Sequence, residues 1–529
     1  MSTSFATMHD VQERFGLVAE PAPQSELRFT VTAAVLTEVS RALRDAGARF
    51  ITVFTAQTPV LALTAVFALR GELVLLKVPA GPGGLISYEA LQRDWPAAAW
   101  AERELTEHDQ RVKLQQTAAD RFAQPQQAAQ QYAGGSAAAA DGQTEAAPES
   151  RGHGRLTSPD PDLLDRKLRG LDVFVIPYGP VRSGIFEAIQ FQIETGGEDV
   201  TTLQTRPFFK RRGIEDRFCG LTPSEGAYVA ERVAGIASCA YATAYAQAVE
   251  RITGVDVPLR AQLWRVVLCE LERVACHFDV ISKEAETTAL YVGNARFQIL
   301  RERMLRLRAQ LTGSRFGRGL IVPGGVTANG RMDLDELAHE IQELDLAARR
   351  DRSLFVGTSS MIDRLIGAGV LPRTVTEAHG AVGPLARGSG TSVDARHEFP
   401  YGAYVRLGLN VMVRREGDAM ARINVRFGEI AESLRLLRQA VDRLRRVDDS
   451  LCVPLPQVGS GTACGWVEAP QGELLFWVEL RDELVHRVRI ASPSLRNWAV
   501  FDHAFPKDVL TDFGFIEHSF GLTPAGADR

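Results

Sequence analysis

The sequence predicts an α+β chain: a small N-terminal α+β domain over residues 25–112, then a large, mainly helical-bundle domain with β-strand flanks over residues 161–529. Three observations carry that reading. Short runs rich in Val, Ile, Leu, Phe and Thr crowd the stretch before residue 80 and read as strands. From about residue 222 to 450, apolar residues recur at spacings of three and four, which lines one face of a helix. Between the two, residues 113–160 consist mainly of Gln, Ala, Gly and Ser; such a stretch buries little apolar area and reads as a linker.

Residues 1–24 read as a tail. In the first domain Leu27–Val31 reads as a strand, and Ala33–Ala46 as a helix closed by Gly47, since glycine accepts the left-handed backbone past a helix end. Phe50–Thr55, Val60–Leu69 and Glu72–Val78 read as strands, and Gly81-Pro82-Gly83-Gly84 as a turn. Glu102, Arg103 and Glu104 are expected to pair with the neighbouring domain. Beyond the linker, Leu171–Tyr178 and Ile185–Thr195 read as strands, with a turn at Gly179-Pro180 and a hairpin at Gly196-Gly197. Asp256 and Pro258 read as the cap and first turn of a helix whose apolar stripe is Leu263, Val267, Leu271, Val274, Phe278 and Ile281. Ile430, Leu434, Leu437, Val441 and Leu444 make a second stripe. Residues 463–491 return to strand-like alternation, and residues 495–529 show little regular pattern.

Composition excludes several classes. Hydrophobic residues make up 45% and charged residues 24%, with a net charge of −5. No basic block with interleaved aromatics argues for nucleic acid. Met1 to Glu13 has no apolar core of a secretory signal, and the apolar run Val60–Leu69 is far short of the roughly 20 residues of a membrane span. A cytoplasmic chain able to dock on a membrane complex is expected. The 6 cysteines form no C-x-x-C pair and fit a reducing compartment; Cys219, Cys239, Cys269 and Cys276 read as small buried hydrophobes.

The strongest chemical signal is an absence. Arg232-Val233-Ala234-Gly235-Ile236-Ala237 has the form of an R-x-C-G-x-C metal loop with alanine at both cysteine positions. The C-terminal stretch from Ser519 to Arg529 has the form of a D-P-C-x-x-C segment, with Thr523 and Gly526 at the cysteine positions. Soft metals need thiolate ligands, and neither a methyl group nor a hydrogen atom supplies one.

Further motifs carry a resemblance. Trp95-Pro96-Ala97-Ala98-Ala99-Trp100-Ala101-Glu102-Arg103-Glu104 resembles the W-P-x-A-x-W-x-E-R-E signature of the 30-kDa hydrophilic subunit of respiratory complex I. Val257-Pro258-Leu259-Arg260-Ala261-Gln262 with Glu270 to His277, Pro323-Gly324-Gly325-Val326, Arg387-Gly388-Ser389-Gly390 with Asp394, and Gly465 to Glu473 resemble the 49-kDa quinone-site subunit. The chain is therefore similar to the fused 30-kDa and 49-kDa family, and equally to the large subunit of energy-converting nickel–iron hydrogenases such as formate hydrogenlyase. The turn Gly179-Pro180-Val181-Arg182-Ser183-Gly184 resembles the hydrogenase branch.

That resemblance implies a cavity facing a small 4Fe–4S subunit, holding nickel–iron in hydrogenases and a quinone in complex I. Here the four ligand positions are Ala234, Ala237, Thr523 and Gly526, so no metal is expected. Arg182 stands where a quinone-binding histidine would, and Gly235 near a quinone-binding tyrosine. The resemblance makes Arg182, His277, Arg387 and Asp394 candidate catalytic residues, and Arg182, Gly235 and Ser389 candidate cofactor contacts. Each has a plainer reading. Arg182 could pair with a carboxylate, His277 could be a satisfied core histidine, and Arg387, Ser389, Asp394 and Arg396 could form a structural loop lock.

The chain itself is expected to bind no cofactor, the iron–sulfur cluster lying in the partner subunit and a quinone being the candidate ligand. The resemblance also implies NAD binding, electron transport, and partners that include ion-translocating membrane subunits. It places the chain on the inner face of the plasma membrane, without hydrogenase activity of its own. The alternative is a catalytically silent scaffold that holds the iron–sulfur subunit against the membrane arm.

Overall fold

The computed structural model describes residues 8–57, 60–115, 174–182, 187–327, 333–456, 460–506 and 508–529. The expected linker therefore lies outside the described residues, apart from 113–115, which belong to a strand.

The N-terminal unit reaches beyond 25–112 at both ends. It comprises α1 (Met8–Phe15), β1 (Ala19–Glu20), β2 (Glu26–Thr30), α2 (Ala33–Asp45), β3 (Arg49–Gln57), β4 (Leu61–Leu69), β5 (Glu72–Pro79), β6 (Ile86–Glu89), α3 (Ala99–His108) and β7 (Val112–Gln115). Five strands form one sheet in the order β1-β2-β5-β4-β3, with β2 parallel to β5 and the other pairs antiparallel. Of the expected tail, residues 1–7 lie outside the described residues, and from residue 8 on the chain joins the domain: Met8 and Val11 enter the core that Phe29, Leu36, Val39 and Leu43 build. Gly47, at φ 87°, ends α2 as its left-handed preference predicts.

The second face of this sheet is also covered. Ile51, Phe54, Val66 and Leu75 pack against Trp466 and Trp477 of the large domain. Burial on both faces is why β4 reads as an almost unbroken apolar run rather than an alternating one. Arg49 rivets the joint, donating to Glu473 at 3.0 Å and to Glu398 at 2.6 Å, while Arg496 donates to Glu473 at 2.6 Å. Of the three residues expected to cross to the neighbouring domain, only Glu104 does so, pairing with Arg529. Glu102 turns inward and accepts from the backbone of Leu91 at 2.7 Å and Gln92 at 3.0 Å, and Arg103 pairs one turn on with Glu107. A carboxylate that satisfies two local N–H groups has no need of a distant partner.

The large domain begins with a three-stranded antiparallel sheet of β8 (Phe174–Tyr178), β9 (Gln190–Thr195) and β10 (Val200–Arg206). Five long helices follow: α4 (Ser238–Thr253), α5 (Leu259–Thr287), α6 (Tyr291–Thr312), α7 (Leu334–Val356) and α8 (Ala419–Leu444). A second antiparallel sheet is made of β11 (Ser460–Ala469), β12 (Gly472–Arg481) and β13 (Leu484–Ala491). Three short helices close the chain: α9 (Pro493–Phe501), α10 (Phe513–Phe520) and α11 (Pro524–Asp528).

Helix α5 is the axis of the bundle. Every residue of its predicted stripe is buried, but so are Glu270, Glu272, Arg273, His277 and Glu284, which places helix neighbours on all sides. Its start differs from expectation: Pro258 is the capping residue, in an extended conformation at ψ 144°, and Asp256 lies outside the helix. The C-terminal stretch, unpatterned in sequence, is ordered by rings. Phe501 meets Phe505 at 5.0 Å and Phe520 at 4.9 Å, edge to face. Helices of 9, 8 and 5 residues are too short to show a period. Strand β11 lies so close to α4 that a Cβ on Gly465 would stand 1.8 Å from the Ala244 carbonyl oxygen, which fixes glycine there.

The Arg49 joint is testable. Burial acts to raise the Glu473 carboxyl, yet Arg49 and Arg496 hold it down at about 2. Removing one guanidinium leaves a fully buried carboxylate half paired, which costs on the order of 3 kcal/mol. R49A should lower the unfolding free energy of the intact chain, read by urea titration, by that amount, and R49K by less. A loss below about 0.5 kcal/mol, typical of a surface pair, would remove the joint from the stability argument.

Candidate functional site

Residues 232–237 and the last residues of the chain meet in space. Arg212 spans them, donating to the carbonyls of Arg232 at 3.2 Å and Val233 at 2.5 Å on one side and of Ala525 at 3.0 Å on the other. Its backbone N–H donates to the Arg529 carbonyl at 3.0 Å. Glu187 completes the cross-link, accepting from the Thr523 hydroxyl at 2.5 Å, the Ala525 N–H at 2.9 Å and Lys210 at 2.9 Å. Asp528 accepts from the backbone of Phe208 at 2.8 Å and Lys210 at 2.7 Å.

Side chains crowd one of the four positions, Gly526, closely. Ala234 and Ala237 are buried. A Cβ on Gly526 would stand 3.1 Å from Thr523 and 3.3 Å from both Ser494 Oγ and the Tyr241 hydroxyl. The Tyr241 hydroxyl lies 3.0 Å from Ser492 Oγ. This is a donor set of hydroxyls, one carboxylate and one guanidinium, and it does not fit a nickel–iron centre, which needs thiolates. The nearest cysteine in sequence, Cys239, is held by Arg308 at 3.4 Å, and burial raises its pKa well above the usual thiol range. Among the described residues no group of three His, Cys, Asp or Glu could hold a metal ion. Cys269 and Cys276 are buried as expected, whereas Cys219, placed just after a single 3-10 turn, is exposed.

The candidate cofactor contacts are already engaged. Arg182 donates to Glu517 of α10 at 2.8 Å, and its guanidinium lies 5.3 Å from the Tyr178 ring and 5.2 Å from the Phe191 ring. Ser389 turns its hydroxyl toward the Leu385 carbonyl, 3.5 Å away in its own chain segment. Gly235 opens the 3-10 turn before α4, where an added Cβ would meet Arg318 at 3.7 Å.

His277, Arg387 and Asp394, by contrast, belong to one fully buried assembly. His277 Nε2 lies 2.8 Å from Glu429, and Arg426 donates to His277 Nδ1 at 3.2 Å. A guanidinium only donates, so Nδ1 accepts and the proton sits on Nε2, giving a neutral ring. Burial drives its pKa down to about 4, against the pull of Glu429. Arg387 donates to Glu429 at 2.9 Å and to Glu468 at 2.8 Å, and lies 3.3 Å from Asp394. Asp394 binds Arg396 at 2.7 Å, and Arg396 donates to Glu270 at 3.1 Å. Glu270 also accepts from Arg273 at 3.3 Å and from the hydroxyls of Tyr404 and Ser433, each at 2.5 Å. Glu429 is held well below the usual carboxylate range: burial opposes this, and Arg387 overrides it. Glu468 is pushed up to about 7 by burial and then by Asp394, despite Arg387.

Sequence reasoning reached His277, Arg387, Asp394 and Arg396 but not Glu429, Arg426, Tyr404 and Ser433. Glu429 directly precedes Ile430 of the predicted α8 stripe, and its place near an apolar face was a usable signal. The roles of Arg212 and Glu187 were also missed: Arg212 acts on backbone carbonyls, which leave no trace in residue pattern, and Glu187 on a hydroxyl, an ammonium and an N–H that are remote from it in sequence.

The comparisons with known proteins agree on one family. A family model described as the 49 Kd subunit of respiratory-chain NADH dehydrogenase matches residues 287–457. The carbon monoxide-induced hydrogenase of Rhodospirillum rubrum is 30% identical over 356 residues, 66% of this chain and 97% of that protein. An NADH-quinone oxidoreductase subunit of Anaeromyxobacter sp. (strain K) is 30% identical over 332 residues, 60% of this chain and 85% of that one. A chain from the structure of the membrane-bound sulfane sulfur reductase, an archaeal respiratory membrane complex, superposes with a TM-score of 0.64 at 26% identity, covering 68% of this chain and 99% of that chain.

The neutral ring gives a signed prediction. Between the ordinary value of 6.5 and about 4, the unfolded chain binds a proton at His277 that the folded chain refuses, so stability falls as pH drops through that window. The loss approaches roughly 3 kcal/mol at its acid end. H277Q should flatten this part of the stability–pH curve in urea titrations; the opposite slope from Glu468 is common to both proteins and cancels in the difference. An unchanged difference across the window would mean that His277 is not held neutral.

Proposed function

We propose a function from one premise: the chain belongs to the family of complex I 49-kDa-type subunits and membrane-bound hydrogenase large subunits. Its relatives are subunits of membrane-bound hydrogenases and complex I-type respiratory complexes. In this proposal the chain is the large subunit of such a complex, peripheral on the inner face of the membrane. Electrons reach it from a small 4Fe–4S partner and pass to a quinone or another small acceptor. Ion-translocating membrane subunits supply the coupling; among the described residues no helix is long and apolar enough to cross a membrane. The N-terminal unit corresponds to the 30-kDa subunit, fused here to the 49-kDa part.

The observation that carries this reading is the meeting of residues 232–237 with 523–529 through Arg212, without a thiolate at any of the four ligand positions. The frame of a hydrogenase is kept and its metal chemistry is not supported. Arg182, standing where a histidine would donate to a quinone, can donate a hydrogen bond but cannot yield a proton near neutral pH. A proton for a reduced acceptor therefore has to come from elsewhere.

The second reading, a silent scaffold, is favoured by a specific observation: Tyr241 and Ser494 crowd Gly526, and the Thr523 hydroxyl is already engaged by Glu187. Two measurements on the purified complex separate these readings. Elemental analysis should find iron and no stoichiometric nickel; one nickel per complex would overturn both. After chemical reduction of the partner's cluster, a water-soluble quinone should speed its reoxidation. A rate unaffected by quinone, with every other acceptor tried also inert, would leave the scaffold.

A further inference from the structure

A cavity of about 580 Å³ lies where the N-terminal sheet meets β13 and the chain's last residues. That volume falls within the roughly 300–1,000 Å³ of small-molecule sites. Its walls bring together Thr55, Asp109 and Arg111 from the first domain with Glu215, Arg487 and Arg489 from the second. The carboxylates on these walls are already satisfied. Asp109 accepts from Arg111 at 2.7 Å and 2.8 Å and from the Thr55 hydroxyl at 2.9 Å. Glu215 accepts from Arg489 at 2.8 Å and from the Ile490 N–H at 2.9 Å. Glu104 is taken by Arg529, and Asp528 points its carboxylate at the backbone of Phe208 and Lys210. Asp216 stands at the exposed rim.

Arg487 is left over. Its one bond here is to the Thr55 hydroxyl, at a long 3.5 Å, and that hydroxyl has already given its proton to Asp109. No carboxylate lies within ion-pair distance of it among the described residues. Burial and then the neighbouring Arg489 push its pKa down to about 10, although Asp109, Glu479 and Glu215, none within ion-pair distance, pull the other way; its charge is only partly compensated. A guanidinium presents a planar fork of donors that matches two oxygens of one anion. A second arginine, Arg211, lines the mouth from the exposed side.

We infer that this interdomain cavity binds a small anion through a phosphate or carboxylate group seated on Arg487. The site joins the two domains, so an occupant would draw them together. It is separate from the ground between residues 232–237 and 523–526, and the inference does not depend on where electrons go.

Inorganic phosphate and citrate are the two probes, each titrated into the full-length chain against sodium chloride of equal ionic strength. Calorimetry and thermal melting read the result. One probe should release binding heat and raise the melting temperature beyond the chloride control, and which of them does so tells a phosphate site from a carboxylate site. R487Q should abolish both signals. R487K, which keeps the charge and loses the fork, should weaken binding about tenfold, and it decides the question if R487Q fails to fold. Absence of any signal beyond chloride with both probes, or undiminished binding in R487K or R487Q, would overturn the inference.

Discussion

The large domain is organised around charges that cannot reach water. Glu270, Asp394, Glu429 and Glu468 share a fully buried space with Arg273, Arg387, Arg396 and Arg426, and each is tolerable only because the others are in place. Isolated, any of these ions would carry a desolvation cost of several kcal/mol. Paired, they act as a positional code. Helix α5 supplies Glu270, Arg273 and His277; α8 supplies Arg426 and Glu429; the turns at 387–396 supply two arginines and Asp394; β11 supplies Glu468. Four separated stretches of chain are thereby fixed against one another. Shifting one of them by a helical turn would strand a charge, which apolar packing alone would not forbid.

The same logic sets the polarity of individual groups. Glu429 faces Arg387 and a histidine that is itself neutral, and it stays ionised. Glu468 faces both Asp394 and Arg387, and the like charge together with burial keeps its proton within reach of neutral pH. Two carboxyls that share Arg387 are thus driven apart by their surroundings. Such divergence often marks acid–base sites, and structural ion-pair networks produce it too. Here the groups are sealed from solvent, which favours the structural role that the loop-lock reading of Arg387, Asp394 and Arg396 anticipates.

What the sequence disclosed follows from periodicity. The strands of the first sheet and the stripes of α5 and α8 are legible because a repeated apolar position is a local signal. The C-terminal helices are not, because α9, α10 and α11 are held by rings such as Phe501 and Phe520 that find one another only after folding. Likewise the sequence leaves Arg182 open between a cavity donor and an arginine paired with some carboxylate, and cannot say which carboxylate. Its partner Glu517 lies far along the chain, in one of those same unpatterned helices. The ligand positions could be located from motif spacing alone, but not what now surrounds them, since Arg212 acts on backbone carbonyls and Glu187 on Thr523, Lys210 and the Ala525 N–H, all remote from it in sequence.

The four ligand positions also raise the question of how the surrounding frame keeps its shape. A metal held by two distant chain segments is a cross-link, and removing such an ion removes folding free energy with it. In this chain the cross-link is built from organic groups. Arg212 grips carbonyls on both segments, and Glu187 takes a hydroxyl and an N–H from the C-terminal one. Charge-assisted bonds of this kind are among the stronger non-covalent contacts available. They need no ion, and they hold the last turn of the chain against the start of α4. The C-terminal Arg529 then reaches past them to Glu104 in the first domain. Proximity of the two segments is therefore a property of the polypeptide itself, and the frame can persist with no thiolate inside it.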